Sequence, residues 1–404
     1  MTLNKFTVTR VFLSVLCMAL LLTGMTACKE QPTSATQTET ETETVIRPYL
    51  YRYGRYVYES GNRMKRYDLI NHTLTPACIA PDCAGDCPLD NAITEANGLC
   101  DGRLYFYSFE AFTHRVLLGF QDLVSGEVKV LVELSEAEQG STRIYVHEGY
   151  MYYQCKLLRD GGDPSNPTDY EASISRVPVD GGKSEAACKP DGKTLLMGAD
   201  GKLLLQQESV LFTYDLASGE TRELYDLEKN GFKFIKSGIF LAGGQLYFLA
   251  STGASDSDAA IGFTHTLAYL VSIDMDTGEG GKLMEAPVEF FDVTETGIYY
   301  IPYRLRILYL PENYAEDDDP DKLNKVLLST QDEHLWACGF GGENPRKVAE
   351  KAHADVVNLA TVLDGELYGM LQIYDIDAHT KEVLYATFNL ESGEVIRVKK
   401  EENS

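Results

Sequence analysis

Four cysteines fall within 23 residues: Cys78, Cys83, Cys87 and Cys100. Sulfurs crowded in this way pair as disulfides, hold a metal such as zinc, or stay as thiols. The intervals of four, three and twelve residues miss the paired Cys-x2-Cys knuckles of structural zinc. The segment is rich in Pro, Asp and Gly and poor in apolar residues, a setting in which a cross-link replaces a missing core. All four are therefore expected to be engaged, covalently or by a metal, so that none alkylates freely in the native protein. Cys155, Cys188 and Cys338 are scattered along apolar runs and are expected to be buried thiols.

Oxygen ligands offer a second chemistry. The run Asp317-Asp318-Asp319-Pro320-Asp321 could hold calcium, which takes several oxygens. It also reads as the start of a short helix over 321–328, with Asp319 as N-cap and Pro320 at the first helical position. Asp274-Met-Asp276-Thr-Gly278-Glu279 looks metal-like, but the same pattern recurs elsewhere as a turn. No G-x-S-x-G, H-E-x-x-H or phosphate-loop motif occurs, and no residue is assigned a catalytic role.

The elements that must position these residues repeat. A turn glycine followed by alternating aromatic and aliphatic residues appears seven times, among them DGRLYFYS (101–108), GGQLYFLA (243–250) and DGELYGML (364–371). Each is followed by a second hairpin, and four of these carry Ser/Thr-Gly-Glu, at 125–127, 218–220, 277–279 and 392–394. The leading glycines recur every 43 to 68 residues, which indicates four-strand blades. The expected fold is all-β, a single seven-bladed β-propeller of four-stranded antiparallel blades over residues 47–404. No 10–15-residue helical period separates the strands, so an α/β fold is excluded.

In such a blade, strands a to d meander. The b–c loops and blade-to-blade links leave by one face, and the short a–b and c–d turns by the other. The long insertions 155–173, 251–266, 303–335 and the cysteine loop 78–100 all map to the first face. So do His114, His265, His334, His353 and His379. This is the expected ligand face, with blades 5 and 6 contributing most through His265, Arg304, Arg306, Asp318 and His334. On this reading 303–335 builds a pocket wall and can be shortened without unfolding the propeller. The rival reading is a structural cap.

The Asp-Gly-x-Leu-Tyr-Phe and Tyr-Asp-Leu-x-Ser-Gly-Glu patterns resemble those of TolB-like and YWTD-like propellers. They are closer still to propeller lipoproteins of Gram-positive gut bacteria. The resemblance covers the chain beyond the N-terminal segment, and its motifs specify fold rather than chemistry. Segment 78–88 is also similar to a Cys-x4-Cys-x-His-x-Cys-Pro loop of those lipoproteins, with Gly85 where the His would stand.

Residues 1–27 read as a secretory signal: Lys5 and Arg10, then the apolar run Val11 to Leu22, then small residues. Cys28 directly after Ala27 resembles the lipobox cysteine of bacterial lipoproteins, with Met25 where Leu is usual. Residues 28–46, mostly Thr and Glu, read as a solvated tether from lipidated Cys28. The implied location is the extracytoplasmic face of the cell membrane. With 61 acidic against 36 basic residues and a net charge of −25, the chain lacks the basic stripe of a nucleic-acid binder. After the first 25 residues no stretch holds 18 apolar residues, so no internal membrane span is expected. The expected function is a monomeric, lipid-anchored scaffold that binds an extracellular protein, glycan or small ligand. The alternative is a hydrolase or lyase acting on glycans or wall polymers in the central funnel. No cofactor is required, zinc at the cysteines or calcium at the Asp run being the ions the sequence could hold.

Overall fold

In the computed structural model of the chain, the described residues are 45–400, apart from 49, 63, 81–82, 84–86, 90–92, 111, 260, 315–321 and 352. The signal segment, Cys28, the tether to residue 44 and Asp317–Asp321 lie outside them. Seven antiparallel sheets follow one another along the chain, each with its strands in meander order. Blade 1 comprises Leu50–Tyr53, Tyr56–Glu59, Lys65–Asp68 and Thr73–Pro76, and blade 2 Ile93–Cys100, Arg103–Glu110, Arg115–Asp122 and Val128–Leu134. Blade 3 runs Gln139–His147, Tyr150–Leu158, Tyr170–Pro178 and Glu185–Cys188, and blade 4 Thr194–Ala199, Lys202–Gln207, Val210–Asp215 and Thr221–Asp226. Blade 5 is Phe240–Ala242, Gln245–Asp258, Phe263–Asp274 and Gly280–Lys282. Blade 6 is Val288–Thr294, Gly297–Tyr309, His334–Cys338 and Arg346–Glu350, and blade 7 Ala354–Leu363, Glu366–Asp375, Thr380–Asn389 and Val395–Arg397. The seven-bladed propeller expected from the repeats is the fold observed.

The repeated motifs are turn chemistry. Five a–b turns are two-residue loops with both residues at positive φ, as at Asp101-Gly102 (51° and 70°) and Asp364-Gly365 (51° and 81°). Such turns match the right-handed twist of the flanking strands. In the c–d turns a carboxylate or amide caps two backbone N–H groups: Asp122 accepts from Val124 and Ser125, and Asp274 from Asp276 and Thr277. Asn389 does the same for Glu391 and Ser392. The metal-like Asp274–Glu279 segment is thus a turn. Its Gly278 sits at φ 75°, and a Cβ there would overlap the Leu224 carbonyl oxygen of blade 4.

The core lies between blades. On strand b of blade 5, Leu246, Phe248 and Ala250 pack toward blade 4, while Tyr247 and Leu249 pack toward blade 6. Both faces of this strand are buried over 246–251, so it reads there as a near-continuous apolar run. Full burial of a side chain such as Phe248 is worth about 1.5–3 kcal/mol.

Ring closure joins blades 1 and 7. Tyr67 stacks on Tyr368 with centroids 4.0 Å apart, and Lys399–Lys400 adds in parallel to the outer strand of blade 1. The buried Glu59 carboxylate accepts from Tyr385 (2.7 Å) and Tyr368 (3.2 Å). Burial raises its pKa above the ordinary 4.5, against the bonds from Tyr385 and Tyr368 and the nearby Lys65. The folded state therefore binds this proton more readily than the unfolded chain. Glu59's contribution to stability grows as pH falls from neutral toward 4.5, and it is lost as pH rises through the folded value. Glu59→Gln should remove that slope. The check is the melting temperature of both proteins from pH 7 to 4.5, where parallel curves would refute the assignment.

One strand was not foreseen. Val45 and Ile46, read above as the end of the tether, pair antiparallel with Ala242 and Leu241 on the inner edge of blade 5. That edge faces the central channel. Val45 lies beside the a–b turn, so the described chain begins at the turn face and runs toward the hairpin face. Arg47 follows, buried, with Nε 3.7 Å from Asp292 Oδ1 on the inner strand of blade 6. The other oxygen of Asp292 accepts from Thr361 Oγ1 (3.0 Å) and the Val362 N–H (2.8 Å) of blade 7. Three blades are tied together at the channel by this contact.

Candidate functional site: the hairpin face of blades 5 to 7

On the face where insertions were expected, strands continue past the blades. The 251–266 segment of blade 5 is a hairpin, with Asp256 opposite His265 and a bulge between Ser251 and Ser255. In blade 6, strand b runs on to Tyr309, and Leu327–Gln331 returns beside it. The expected helix over 321–328 is instead a single 3₁₀ turn at Lys322–Lys325 followed by that strand. Leu327 and Leu328 are drawn into strand pairing, and Val326 and Leu328 into a cluster with Ile261, Phe263 and Tyr314, which outweighs the local cap signal.

Two polar clusters root these extensions. At the first, His265 Nε2 lies 2.9 Å from Glu289 and 3.2 Å from Lys236 Nζ, and Lys236 is 3.5 Å from the same carboxylate. His265 also stacks between Phe263 and Tyr303, whose hydroxyl donates to Asp256 (2.8 Å). Burial and the facing Asp256 push the Tyr303 phenol up. These groups occupy one another and fasten blade 5 to blade 6. At the second, Arg306 donates to the Gln331 carbonyl (2.9 Å) and Ser329 Oγ (3.1 Å). Ser329 in turn donates to Asp355 (3.0 Å), which also accepts from Tyr374 (2.9 Å). The Gln331 amide bonds Lys351 Nζ and both backbone groups of Val356. Burial pushes the Lys351 amine down to about 8, against the pull of Asp355.

The 303–335 insertion is thus welded to blade 7. Removing it would take Ser329 and Arg306 from Asp355, the Gln331 acceptor from Lys351 and both Gln331 bonds from Val356, contacts that favour the structural reading of the insertion.

Between strand b of blade 6 and the hairpin of blade 7 lies a groove of about 830 Å³. Ile307, Leu308, Ile373 and Ile376 supply its apolar lining, and Asp375, Asp377 and Glu382 its charge, opposed by Arg397. Arg397 is itself paired with Glu382 (2.8 Å). His353 lines the groove, and Tyr309 stacks on His379 (3.6 Å) across the two walls. Among the described residues no strand pairs with the second edge of 304–309, because blade 6's inner strand stops opposite Pro302.

The other expected site residues are dispersed. Arg304 is exposed, 3.6 Å from Asp332, and His334 lies 3.3 Å from the same carboxylate. His114 sits in the blade 2 b–c turn, 3.9 Å from Glu136, remote in the ring from blades 5 to 7. Cys78, Cys83 and Cys87 converge, their sulfurs within 4.8 Å of one another, whereas Cys100 ends strand a of blade 2 and packs toward the blade 2–3 core. Sequence reasoning missed Lys236, Glu289, Gln331, Lys351 and Arg47. Only Arg47 carried a local signal, as a cation closing the apolar pair that ends a polar tract.

No family model matches the sequence, and no curated protein resembles it. Among solved structures, the Pyrococcus horikoshii acylaminoacyl peptidase is 10% identical with a TM-score of 0.48, over 87% of this chain and 52% of that one. TolB from Acinetobacter baumannii is 11% identical with a TM-score of 0.38, over 86% and 64%. The β-propeller domain of the Trilobed protease from Pyrococcus furiosus is 12% identical with a TM-score of 0.38, over 74% and 91%. This chain spans about half the length of the peptidases it matches.

Proposed function

We propose that this protein is a lipid-anchored, extracytoplasmic binding propeller, and that its groove between blades 6 and 7 receives an extended cationic segment of a partner protein. The groove carries the reading: apolar lining residues, three carboxylates against one already paired arginine, and an adjacent strand edge that no strand among the described residues pairs with. An extended peptide adds to such an edge through its backbone, with alternate side chains entering pockets. The net charge of −25 steers cationic partners toward it. Chemistry in the funnel is less well supported, because Val45–Arg47 occupies the inner edge of blade 5. An alternating Lys/Ile peptide should bind the purified protein with an affinity that falls as salt rises. Asp377→Lys with Glu382→Lys should weaken it roughly tenfold or more without shifting the melting temperature. Binding unaffected by the double charge reversal would refute the assignment.

A further inference from the structure

We propose that Cys78, Cys83 and Cys87 form one site for a thiophilic cation, Zn²⁺ or Cu⁺, on the loop between blades 1 and 2. Their sulfurs lie within 4.8 Å of one another. Around an ion bonded at about 2.3 Å, sulfurs stand roughly 3.8–4.0 Å apart, so small side-chain rotations complete the site. Thiolates select soft cations over calcium or magnesium.

The loop is held at both ends. Ala77 and Leu89 are fully buried between blades 1 and 2. The buried Gln121 side chain donates to the Ala77 carbonyl (3.0 Å) and accepts from the Ile79 N–H (3.0 Å), and Ser108 donates to the Pro88 carbonyl (2.7 Å). Between these clamps the Cys83 N–H donates to the Ala80 carbonyl (3.2 Å), and the Ala80 N–H donates to the Cys78 sulfur. Three sulfurs are also the wrong number for disulfides, since any pair leaves the third beside it and Cys100 packs elsewhere. The three are half-buried, so an ion can enter from solvent. On binding, the thiols release their protons to water, and the ion pins a segment that has little apolar surface of its own.

The test uses the full chain, purified under reducing conditions, stripped with chelator and titrated separately with Zn²⁺ and Cu⁺. One equivalent of either ion by elemental analysis and native mass spectrometry is expected, with a raised melting temperature. Cys78→Ser, Cys83→Ser and Cys87→Ser should each weaken binding roughly 100-fold, and Cys100→Ser should leave it unchanged. A thiolate-to-metal charge-transfer band with Co²⁺ in the unmodified protein gives a readout that does not depend on how the variants fold. The proposal is overturned by substoichiometric binding of both ions, by absence of that band, or by equal loss in Cys100→Ser. A disulfide within the trio that persists in protein supplied with zinc overturns it as well.

Discussion

Replacing Gln331 with Leu is expected to lower the unfolding free energy by roughly 3–5 kcal/mol, far more than the usual cost of a near-isosteric change. The Gln331 amide oxygen accepts from Lys351 Nζ (2.9 Å) and the Val356 N–H (3.0 Å), and its nitrogen donates to the Val356 carbonyl (2.6 Å). Leu fills the space and makes none of these bonds. Lys351 would lose its amide acceptor and keep the charges of Asp355, 3.5 Å away, and Asp332. The amine is already pushed down to about 8 by burial, so the folded state binds this proton less readily than the unfolded chain. Its stability contribution therefore rises with pH through about 8 toward the ordinary 10.5. Part of the loss in Gln331→Leu should be recovered between pH 7 and 9. Combining it with Lys351→Met should cost less than the sum of the two, by about 1–3 kcal/mol. Urea unfolding of the four proteins at both pH values decides this. Strict additivity with no pH recovery would show that the network is incidental.

That network also marks where sequence reasoning stops. The propeller was legible because each blade repeats turn chemistry that leaves a local trace. Asp101-Gly102 and Asp364-Gly365 need paired positive φ values, and Asp122, Asp274 and Asn389 cap the N–H groups two and three residues on. Tyr247 and Phe248 alternate between two neighbouring blades and so register as one apolar run. Gln331, Lys351 and Asp355 belong to a different class. Their bonds join the returning strand of an insertion to the next blade, and nothing within a few residues distinguishes Gln331 from a solvated glutamine. The same holds for His265. Its placement on the hairpin face followed from topology, but its partners Lys236 and Glu289 come from the link before blade 5 and the inner strand of blade 6, and only the fold brings them within 3.5 Å. The cysteine loop was half legible: crowding pointed to joint engagement, yet Cys100 belongs to a strand that carries it away from the other three.

The inner contact between Arg47 and Asp292 should respond asymmetrically to truncation of its two partners. Asp292→Ala leaves a buried guanidinium that cannot release its proton and strands the Thr361 hydroxyl and the Val362 N–H, for a loss of roughly 3–5 kcal/mol. Arg47→Ala should cost less, because the carboxylate left behind can become neutral. Asp292 is wholly buried, and burial raises its pKa even against the pull of Arg47. Removing that cation raises it further. The Arg47→Ala protein should thus gain stability relative to the parent as pH falls from 7 toward the ordinary carboxylate range, whereas Asp292→Ala should show no such gain. The contact also bears on the added strand, since Arg47 directly follows Val45–Ile46, which pair with Ala242 and Leu241. Amide exchange at Leu241 and Ala242 should therefore quicken in Asp292→Ala, while exchange in blades 2 and 3 stays unchanged. Equal losses in the two variants at every pH, or unchanged exchange at blade 5, would mean that the strand is held by its own pairing and that the buried ion pair plays no part in holding it.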